Sequence, residues 1–326
     1  MSATTGAPTP GARAGAASGP LDDGDRLSGV ITALGAVPTW MRVFDTTEET
    51  AGRLHGLSAA QLSEALRRGL PHARCGGSTM FDRLDLMTVS ATLACRSAWR
   101  LGQRAWPSVL AQVKAGTRTD YRLLVEPKCP FPGHRGRCEF TSLLPLTDVG
   151  RPGADLEPHE AASARLISST ELHVRTGAGT VTAPEQVREA LSSVASARYL
   201  HLPAHLSHDL EFFDRTGSAN CILAAEVVLR AAGRLGLRAR RSFGVIVLPP
   251  FSGLHTWVDF WHEDRWVAFD PHLLRLLVTA GVLDAGHWPV HRSLSGILLR
   301  LGSANSSIVR HNGMHCEASL HLTVVR

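Results

Sequence analysis

The spacing of apolar residues between 217 and 283 predicts a helix, three strands and a second helix. After Cys221, apolar side chains recur every three or four residues, which is typical of a buried helix face. Gly236 follows at a position typical of a left-handed helix cap. The next apolar runs are short, and Pro249-Pro250 and a polar turn separate them. We predict helices over 221–234 and 273–283, and strands over 242–248, 255–261 and 266–270.

Elsewhere the chain alternates between helical and strand periodicity. Ser58 precedes a helical pattern as an N-cap, Pro184 suits a first helical turn, and Trp106-Pro107 interrupts a helical pattern. A loop rich in Pro and Gly over 127–137 and a linker over 148–157 separate other elements. We predict helices over 58–68, 82–102, 108–115, 160–167 and 184–200, and strands over 120–126, 138–146 and 320–325.

The two strands over 255–261 and 266–270 place successive side chains on opposite faces. One face is apolar and suits a core; it carries Val258, Phe260, Val267 and Phe269. If the strands pair as a hairpin, His255 and Asp270 share the other face at or near facing positions. A carboxylate beside an imidazole fixes its tautomer and stabilises its charged form.

Cys221 begins the first predicted helix. The partial positive charge at a helix N-terminus stabilises a thiolate, which is the reactive form of cysteine. Small residues before Cys221 leave room for a substrate, and the N–H groups of the first helical turn can hold an oxyanion. We predict Cys221 as the nucleophile, His255 as its base and Asp270 as the group that orients the base. Substrate contacts are expected from Ser218, Asn220 and Trp257, and Trp257 also shields the base from water.

Each of these residues also has an ordinary structural interpretation. A cysteine at a helix start is more often a small buried residue than a nucleophile. A lone histidine on a strand is more often structural, and an aspartate before proline often begins a turn. The combination of Cys221, His255 and Asp270, in this order and on these elements, favours catalysis.

The remaining cysteines and histidines form weaker patterns. Cys129-x8-Cys138 brackets His134, but this is not a standard zinc spacing and no fourth ligand is evident, so we predict a rim loop and no metal site. Cys75 is expected in a turn before a helix. Pro203 disrupts a helical arrangement of three nearby histidines, so we expect them at a polar lip of the cleft; they are His201, His205 and His208. We expect two further histidines, His311 and His315, at the surface or at a strand edge.

The segment from Cys221 to Pro271 resembles the transglutaminase-like superfamily, whose members share a papain-like core. The resemblance is carried by Cys221 at a helix start, by His255-x-Trp257-Val258 on a strand and by Trp266-x-x-x-Asp270-Pro271. It implies a catalytic Cys221, His255 and Asp270. It also implies an α+β fold, a papain/transglutaminase-like core in which the helix bearing the cysteine packs on an antiparallel sheet.

The chain departs from that family at the residues around the cysteine. Ala219 stands where the family often has glycine, and Ile222 stands where animal members have tryptophan. A second upstream tryptophan that assists the oxyanion in animal members has no counterpart, because no tryptophan lies between Trp106 and Trp257. The oxyanion donor therefore stays unassigned at this point, and calcium-dependent protein crosslinking is not favoured.

Length and composition place this core within a larger protein. The 326 residues carry a net charge of +5, but the basic residues are dispersed and only two tyrosines are present, which does not favour nucleic-acid binding. No apolar run is long enough to span a bilayer, no secretory signal is evident, and the six cysteines do not form a disulfide framework. We expect a soluble, cytoplasmic protein without a cofactor. It would comprise a disordered tail over 1–24, a mostly helical region with a β-hairpin over 25–150 that recognises substrate, and a transglutaminase-like catalytic domain over 155–326.

Three functions fit these features. The first is thiol-dependent acyl transfer through an acyl-Cys221 intermediate, in which an amine accepts the acyl group of a peptide, carrier-bound thioester or small molecule, as in natural product biosynthesis. The second is hydrolysis by a papain-like cysteine peptidase or amidase; Pro249-Pro250-Phe251 resembles the leader-peptide proteases of lasso-peptide pathways. The third is a non-enzymatic interaction scaffold. The presence of Cys221, His255 and Asp270 together argues against it, because a scaffold does not need all three.

Overall fold

The structure is a computed structural model that describes residues 23–131, 133, 137–142, 165–166, 170–177, 179–250, 252–303 and 307–325. The predicted tail, except Asp23 and Gly24, lies outside these residues, as do the linker over 148–157 and most of the helix predicted over 160–167. His134 and Phe251 lie outside them as well.

The helices of the described residues lie in the N-terminal part and around the central sheet. They are α1 Asp23–Gly35, α2 Glu48–His55, α3 Ala59–Arg67, α4 Arg83–Thr92, α5 Ala98–Gly102, α6 Trp106–Lys114, α7 Glu185–Ser192, α8 Leu210–Thr216, α9 Cys221–Arg234 and α10 Pro271–Thr279. Short 3₁₀ turns cover Thr39–Met41, Gln103–Ala105 and Ala204–Leu206.

The strands form several small sheets whose neighbours pair antiparallel, except for one short parallel pair. They are β1 Phe44–Thr47, β2 His72–Cys75, β3 Ser78–Asp82, β4 Asp120–Pro127, β5 Phe140–Ser142, β6 Arg165–Leu166, β7 Thr170–Arg175, β8 Arg198–Tyr199, β9 Ser218–Ala219, β10 Ala239–Ile246, β11 Leu254–His262, β12 Arg265–Phe269, β13 Leu298–Gly302, β14 Val309–His311, β15 Met314–Cys316 and β16 Ala318–Val324. The sheet orders are β1-β3-β2, β12-β11-β10-β13, β15-β14-β5-β6, β16-β4-β7 and β8-β9.

The central sheet, β12-β11-β10-β13, is covered on both faces. Val258 and Phe260 of β11 pack with Leu223 and Val227 of α9 in one core. Trp257, on the opposite face of β11, packs in a second core with α6 and α10. This is an α+β arrangement with a helix on an antiparallel sheet, so the fold class expected from the resemblance is confirmed.

The elements that carry the candidate residues form as the periodicity predicts. α9 begins at Cys221 and ends at Arg234, and Gly236 beyond it has a φ of 65°. β11 and β12 pair as a hairpin, and Glu263 and Asp264 of its turn both have positive φ, as a tight two-residue turn requires.

The helix predicted over 82–102 is wrong because the chain turns within it. α4 ends at Thr92, Ala94 has a φ of 50°, and a separate short helix begins at Ala98. Trp106-Pro107 does not interrupt a helix but begins α6, where proline occupies a first-turn position that lacks an intrahelical N–H partner.

The helix predicted over 184–200 is correct only in its first half. α7 ends at Ser192, and Tyr199 lies on β8, which pairs in parallel with β9. Leu200 N–H donates to Ala219 O at 3.0 Å, so contact with the segment before α9 overrides the helical spacing of this region.

The strands predicted over 120–126 and 138–146 do not pair with each other, and the hairpin of the described part of region 25–150 is formed by β2 and β3. β4 lies between β16 and β7, whereas β5 lies between β14 and β6. Strand pairing therefore crosses the boundary expected near residue 150, and the division into domains stays a prediction. The turn expected at Cys75 exists, but it joins β2 to β3 before α4 begins.

The N-terminal helices share a core with α9. Leu34, Leu62 and Leu86 belong to the same buried cluster as Leu223. Near this cluster, Arg42 Nε donates to Asp85 Oδ2 at 2.6 Å, and its other nitrogens donate to Val37 O and Leu34 O at 2.7 and 2.6 Å. The Arg42 and Asp85 side chains are only 2% and 4% exposed, so this ion pair is buried.

We expect Arg42→Met to lower the free energy of unfolding by about 3–5 kcal/mol, because it leaves a buried carboxylate without its partner. Burial raises the pKa of Asp85 to about 6 although Arg42 acts to lower it. Without Arg42 this pKa rises further, so the loss of stability grows from acidic to neutral pH. Denaturant unfolding at several pH values measures both effects. The double variant Arg42→Met/Asp85→Leu should regain most of the loss, and no recovery would contradict the account.

None of the helices in the described part of the chain combines the length and apolar composition that a membrane span needs.

Candidate active site

Cys221 is held at the start of α9 by the residue that caps this helix. Asn220 Oδ1 accepts a hydrogen bond from Leu223 N–H at 2.9 Å, and Asn220 Nδ2 donates to Ser207 Oγ at 2.8 Å. The cap fixes the first helical turn and places the positive end of the helix dipole at the sulfur. Asn220 therefore acts as a structural cap, and direct substrate contact by its side chain stays a prediction.

His255 and Asp270 are joined by a hydrogen bond between His255 Nε2 and Asp270 Oδ2. Because Val258 faces Phe269 in the hairpin, His255 and Asp270 lie on the same face of the sheet, as strand alternation predicts. Asp270 Oδ1 accepts from Leu273 N–H at 2.7 Å and caps α10. One carboxylate oxygen thus anchors the aspartate to a helix and the other holds the imidazole.

The Cys221 side chain lies close enough to His255 for its charge and its hydrogen-bonding capacity to raise the pKa of His255. Since Nε2 faces Asp270, Nδ1 is the ring nitrogen left for the sulfur. Burial on its own lowers the pKa of His255, but negative charge on Cys221 and Asp270 and hydrogen bonds to both outweigh it and raise this pKa to about 10. The site therefore favours a protonated imidazole at neutral pH.

Exposure differs along the three residues. His255 and Asp270 are buried, at 9% and 4% exposed, whereas Cys221 is half-buried. A small cavity beside Cys221 runs between α9 and the sheet and is lined largely by apolar side chains, among them Val194, Ala224, Val228, Val258, Phe269 and Pro271. Cys221 is thus partly open to solvent, while the base and the carboxylate are largely covered.

Trp257 forms a wall of this cavity and is supported by a buried polar cluster. Its ring is 2% exposed, and its indole N–H donates to Asp259 Oδ1 at 2.8 Å. Asp259 Oδ2 accepts from Ser242 Oγ at 2.7 Å and from Arg240 Nε at 3.1 Å. These bonds fix the orientation of the indole; shielding of His255 and substrate contact by Trp257 stay predictions.

Ser218 requires a correction. It is 0% exposed, lies on β9, and its hydroxyl donates to Thr216 O at 3.3 Å. A fully buried side chain has no surface for a substrate to contact. Ser218 instead holds the segment that leads into Cys221.

Tyr199 and His272 belong to the site but are absent from the sequence prediction. Their rings lie 5.3 Å apart, and His272 Nε2 donates to Ala219 O at 3.0 Å. Burial raises the pKa of Tyr199, and negative charge on Cys221 and Asp270 raises it further, which places its hydroxyl close to both groups. Burial lowers the pKa of His272, so the neutral ring is favoured there.

No local signal marks Tyr199, because the helical spacing around it conceals a two-residue strand. His272 does have one signal, since it lies two residues after Asp270 at the start of a predicted helix. Of the three histidines expected at a polar lip, His205 and His208 are exposed, and His208 lies 3.4 Å from Glu226. His201 contacts the Tyr199 ring edge-on with ring centroids 4.9 Å apart.

Residues 172–271 match the family model described as the transglutaminase-like superfamily. The matched segment is less than a third of the chain and contains Cys221, His255 and Asp270. No curated protein matches the chain.

A solved structure described as the crystal structure of a TGase aligns over 28% of this chain and 26% of its own length. The two sequences are 18% identical over that alignment, and the TM-score is 0.23. The alignment therefore spans about a quarter of that protein.

Proposed function

We propose that this chain, which belongs to the transglutaminase-like superfamily through residues 172–271, transfers acyl groups through a thioester on Cys221. The observation that carries the proposal is the grouping of three residues: His255 is hydrogen-bonded to Asp270 and lies near Cys221, which begins α9. The acyl donor would be a peptide, a carrier-bound thioester or a small molecule with a carboxamide or ester.

In the acylation step the Cys221 thiolate attacks the donor carbonyl carbon. The protonated His255 gives its Nδ1 proton to the departing amine or alkoxide, so the bond to the leaving group breaks as the thioester forms. Asp270 keeps the imidazole oriented and balances its charge throughout. The raised pKa of His255 suits this role, since the ring already carries the proton that the leaving group needs.

The negative charge that develops on the carbonyl oxygen needs donors near the start of α9. The N–H groups of a first helical turn have no partner within their own helix. The N–H of Leu223 already donates to the Asn220 side chain. The N–H of Cys221 belongs to the same residue as the attacking sulfur and is therefore close to the carbonyl that is attacked. We assign the Cys221 N–H as one oxyanion donor, and the nearby Tyr199 hydroxyl as a candidate for the second.

In the second step an acceptor attacks the thioester. A neutral His255 takes a proton from the acceptor as the acceptor attacks the thioester carbon. The tetrahedral intermediate then collapses, the carbonyl re-forms, and the Cys221 thiolate leaves. An amine acceptor gives an amide, whereas water gives a carboxylic acid. The apolar lining of the cavity and the buried Trp257 favour the amine because they limit access of water to the thioester. We propose that the N-terminal region contributes to recognition of the acyl donor.

The partition of the acyl-enzyme between amine and water tests this choice. The protein would be acylated with p-nitrophenyl acetate, freed of excess reagent, and incubated with and without glycine ethyl ester. We expect the amine to accelerate loss of the acetyl group from Cys221 and to yield N-acetylglycine ethyl ester, as detected by mass spectrometry.

Cys75→Ser is the matched control, because Cys75 is an exposed free thiol on β2. This variant should form the acyl-enzyme and partition it as the wild type does. Hydrolysis at one rate at every amine concentration would exclude acyl transfer to amines and favour a cysteine hydrolase.

A further inference from the structure

The structure brings together three potential metal ligands that are far apart in sequence. The ligand atoms of Cys129, Cys138 and His311 all lie within 4.8 Å of one another. Cys129 follows β4, Cys138 precedes β5, and His311 ends β14, so the three residues come from separate segments. None of them lies on α9, β11 or β12, which carry the candidate active site.

The spacing of these atoms suits a tetrahedral ion. Zinc binds thiolate sulfur at about 2.3 Å and imidazole nitrogen at about 2.0–2.1 Å, so a sulfur and a nitrogen of one tetrahedral site lie about 3.6 Å apart. The distance between Cys129 Sγ and His311 Nε2 is 3.8 Å. This distance has to shorten by only about 0.2 Å to match a zinc site, and the remaining ligand distances are all within 4.8 Å.

His311 is placed differently from the expectation that it lies at the surface or a strand edge. It is 1% exposed, because β14 lies between β15 and β5. Its ring contacts Phe140, with ring centroids 5.1 Å apart. A buried histidine packed in this way presents its Nε2 towards Cys129 Sγ in a nearly fixed direction.

The register of the β14–β15 hairpin offers Cys316 as a fourth ligand, which has to turn from Val309 O, where its sulfur lies at 3.8 Å, to join the three grouped residues. Cys316 pairs with Val309, and paired residues of antiparallel strands point to the same face. His311 lies two residues from Val309 on β14 and so shares that face.

We propose that Cys129, Cys138, His311 and Cys316 bind one Zn²⁺ ion as a structural site. Three cysteines and one histidine form a closed tetrahedral set typical of structural zinc, and soft thiolates favour zinc over magnesium or calcium. The ion joins the loop after β4 to the β14–β15 hairpin and to the start of β5. The site does not depend on the proposed acyl transfer.

The cysteine spacing alone conceals this site. Cys129-x8-Cys138 supplies half of the ligands, and His311-x4-Cys316 supplies the other half more than 170 residues later. The two halves meet only because β14 pairs with β5. The expectation of no metal here rested on the nonstandard spacing of Cys129 and Cys138 and on the lack of an evident fourth ligand.

Metal analysis of the purified full-length chain tests the proposal. The protein would be expressed with added zinc, purified without chelators, dialysed and analysed by inductively coupled plasma mass spectrometry. We expect about one zinc per chain. Removal of one ligand should cost most of this zinc, and we expect this result for Cys138→Ser, Cys129→Ser and His311→Ala. His315→Ala and Cys75→Ser are matched controls on exposed residues and should keep it.

Cobalt replacement tests the ligand set. Tetrahedral cobalt bound to thiolates absorbs strongly in the near ultraviolet, and the intensity follows the number of thiolates. Cys316→Ser should lower this intensity by about a third, since two of three thiolates remain. An unchanged intensity would overturn Cys316 as a ligand.

The wild-type measurement is decisive even if a variant fails to fold. Wild-type protein that binds no zinc after reconstitution under reducing conditions would overturn the proposal. A disulfide between Cys129 and Cys138 that persists in dithiothreitol-treated protein would also overturn it. The same holds if the His315→Ala control loses as much zinc as the ligand variants do. Zinc binding in Cys221→Ser would separate this site from the candidate active site, whatever that variant does to catalysis.

Discussion

Cys221→Ala is expected to lower the rate of thioester formation by about 10⁴-fold or more, because no other group in the site can form the covalent intermediate. Cys221 is the half-buried thiol that touches His255, whereas Cys95 is buried and Cys75 is exposed on a distant hairpin. The burst of p-nitrophenolate from p-nitrophenyl acetate, measured by stopped flow, reports this step. The variant should fold, since Asn220 still caps α9 and alanine fits a first helical turn.

Cys75→Ser serves as the matched control, and its burst should equal that of the wild type. A full burst in Cys221→Ala would assign the nucleophile to another residue. A burst lost equally in both variants would indicate that thiol content in general, rather than Cys221, supports the reaction.

Asp270→Asn is expected to lower the acylation rate at neutral pH by about 10²- to 10⁴-fold. The asparagine keeps an oxygen that can accept from Leu273 N–H, so the cap of α10 and the fold should persist. The change removes the negative charge that, together with Cys221, raises the pKa of His255. The imidazole then loses its proton at lower pH, and the leaving group loses its proton donor.

The sign of the pH effect follows from the direction of that shift. The pKa of His255 is raised from an ordinary 6.5 to about 10, so its contribution to stability is fully present below pH 6.5 and is lost as pH rises through about 10. In Asp270→Asn the pKa of His255 falls towards 6.5, so this contribution to stability is lost at a lower pH. Titration of the His255 ring by nuclear magnetic resonance measures the pKa in both proteins, with His205, an exposed histidine, as the internal control. An unchanged His255 pKa in the variant would contradict the role of Asp270.

The elements around the candidate site follow from local sequence patterns. The helical spacing after Cys221 and the alternation on either side of Glu263 place three side chains on three short elements. Alternation by two residues is sufficient to bring His255 and Asp270 to one face, because a hairpin with a two-residue turn has a defined register. Periodicity therefore predicts this part of the fold well.

The parts that local patterns miss depend on pairing between distant segments. Tyr199 joins the site because a two-residue strand pairs with Ala219, and such a short strand has no period of its own. β4 takes both its partners, β16 and β7, from other segments of the chain rather than from β5, the next strand in sequence. Cys129 and His311 meet across 182 residues for the same reason. Long-range contacts of this kind leave no mark in the spacing of nearby residues.

The measurement that tests the central claim most directly is the rate at which each cysteine reacts with iodoacetamide at neutral pH. Limited alkylation followed by peptide mass spectrometry gives a rate for each of the six thiols in one sample. We expect Cys221 to react fastest in the wild type, and to slow markedly in His255→Ala but not in the exposed control His205→Ala. Faster reaction at another cysteine, or a Cys221 rate that is the same without His255, would contradict an activated Cys221–His255 pair.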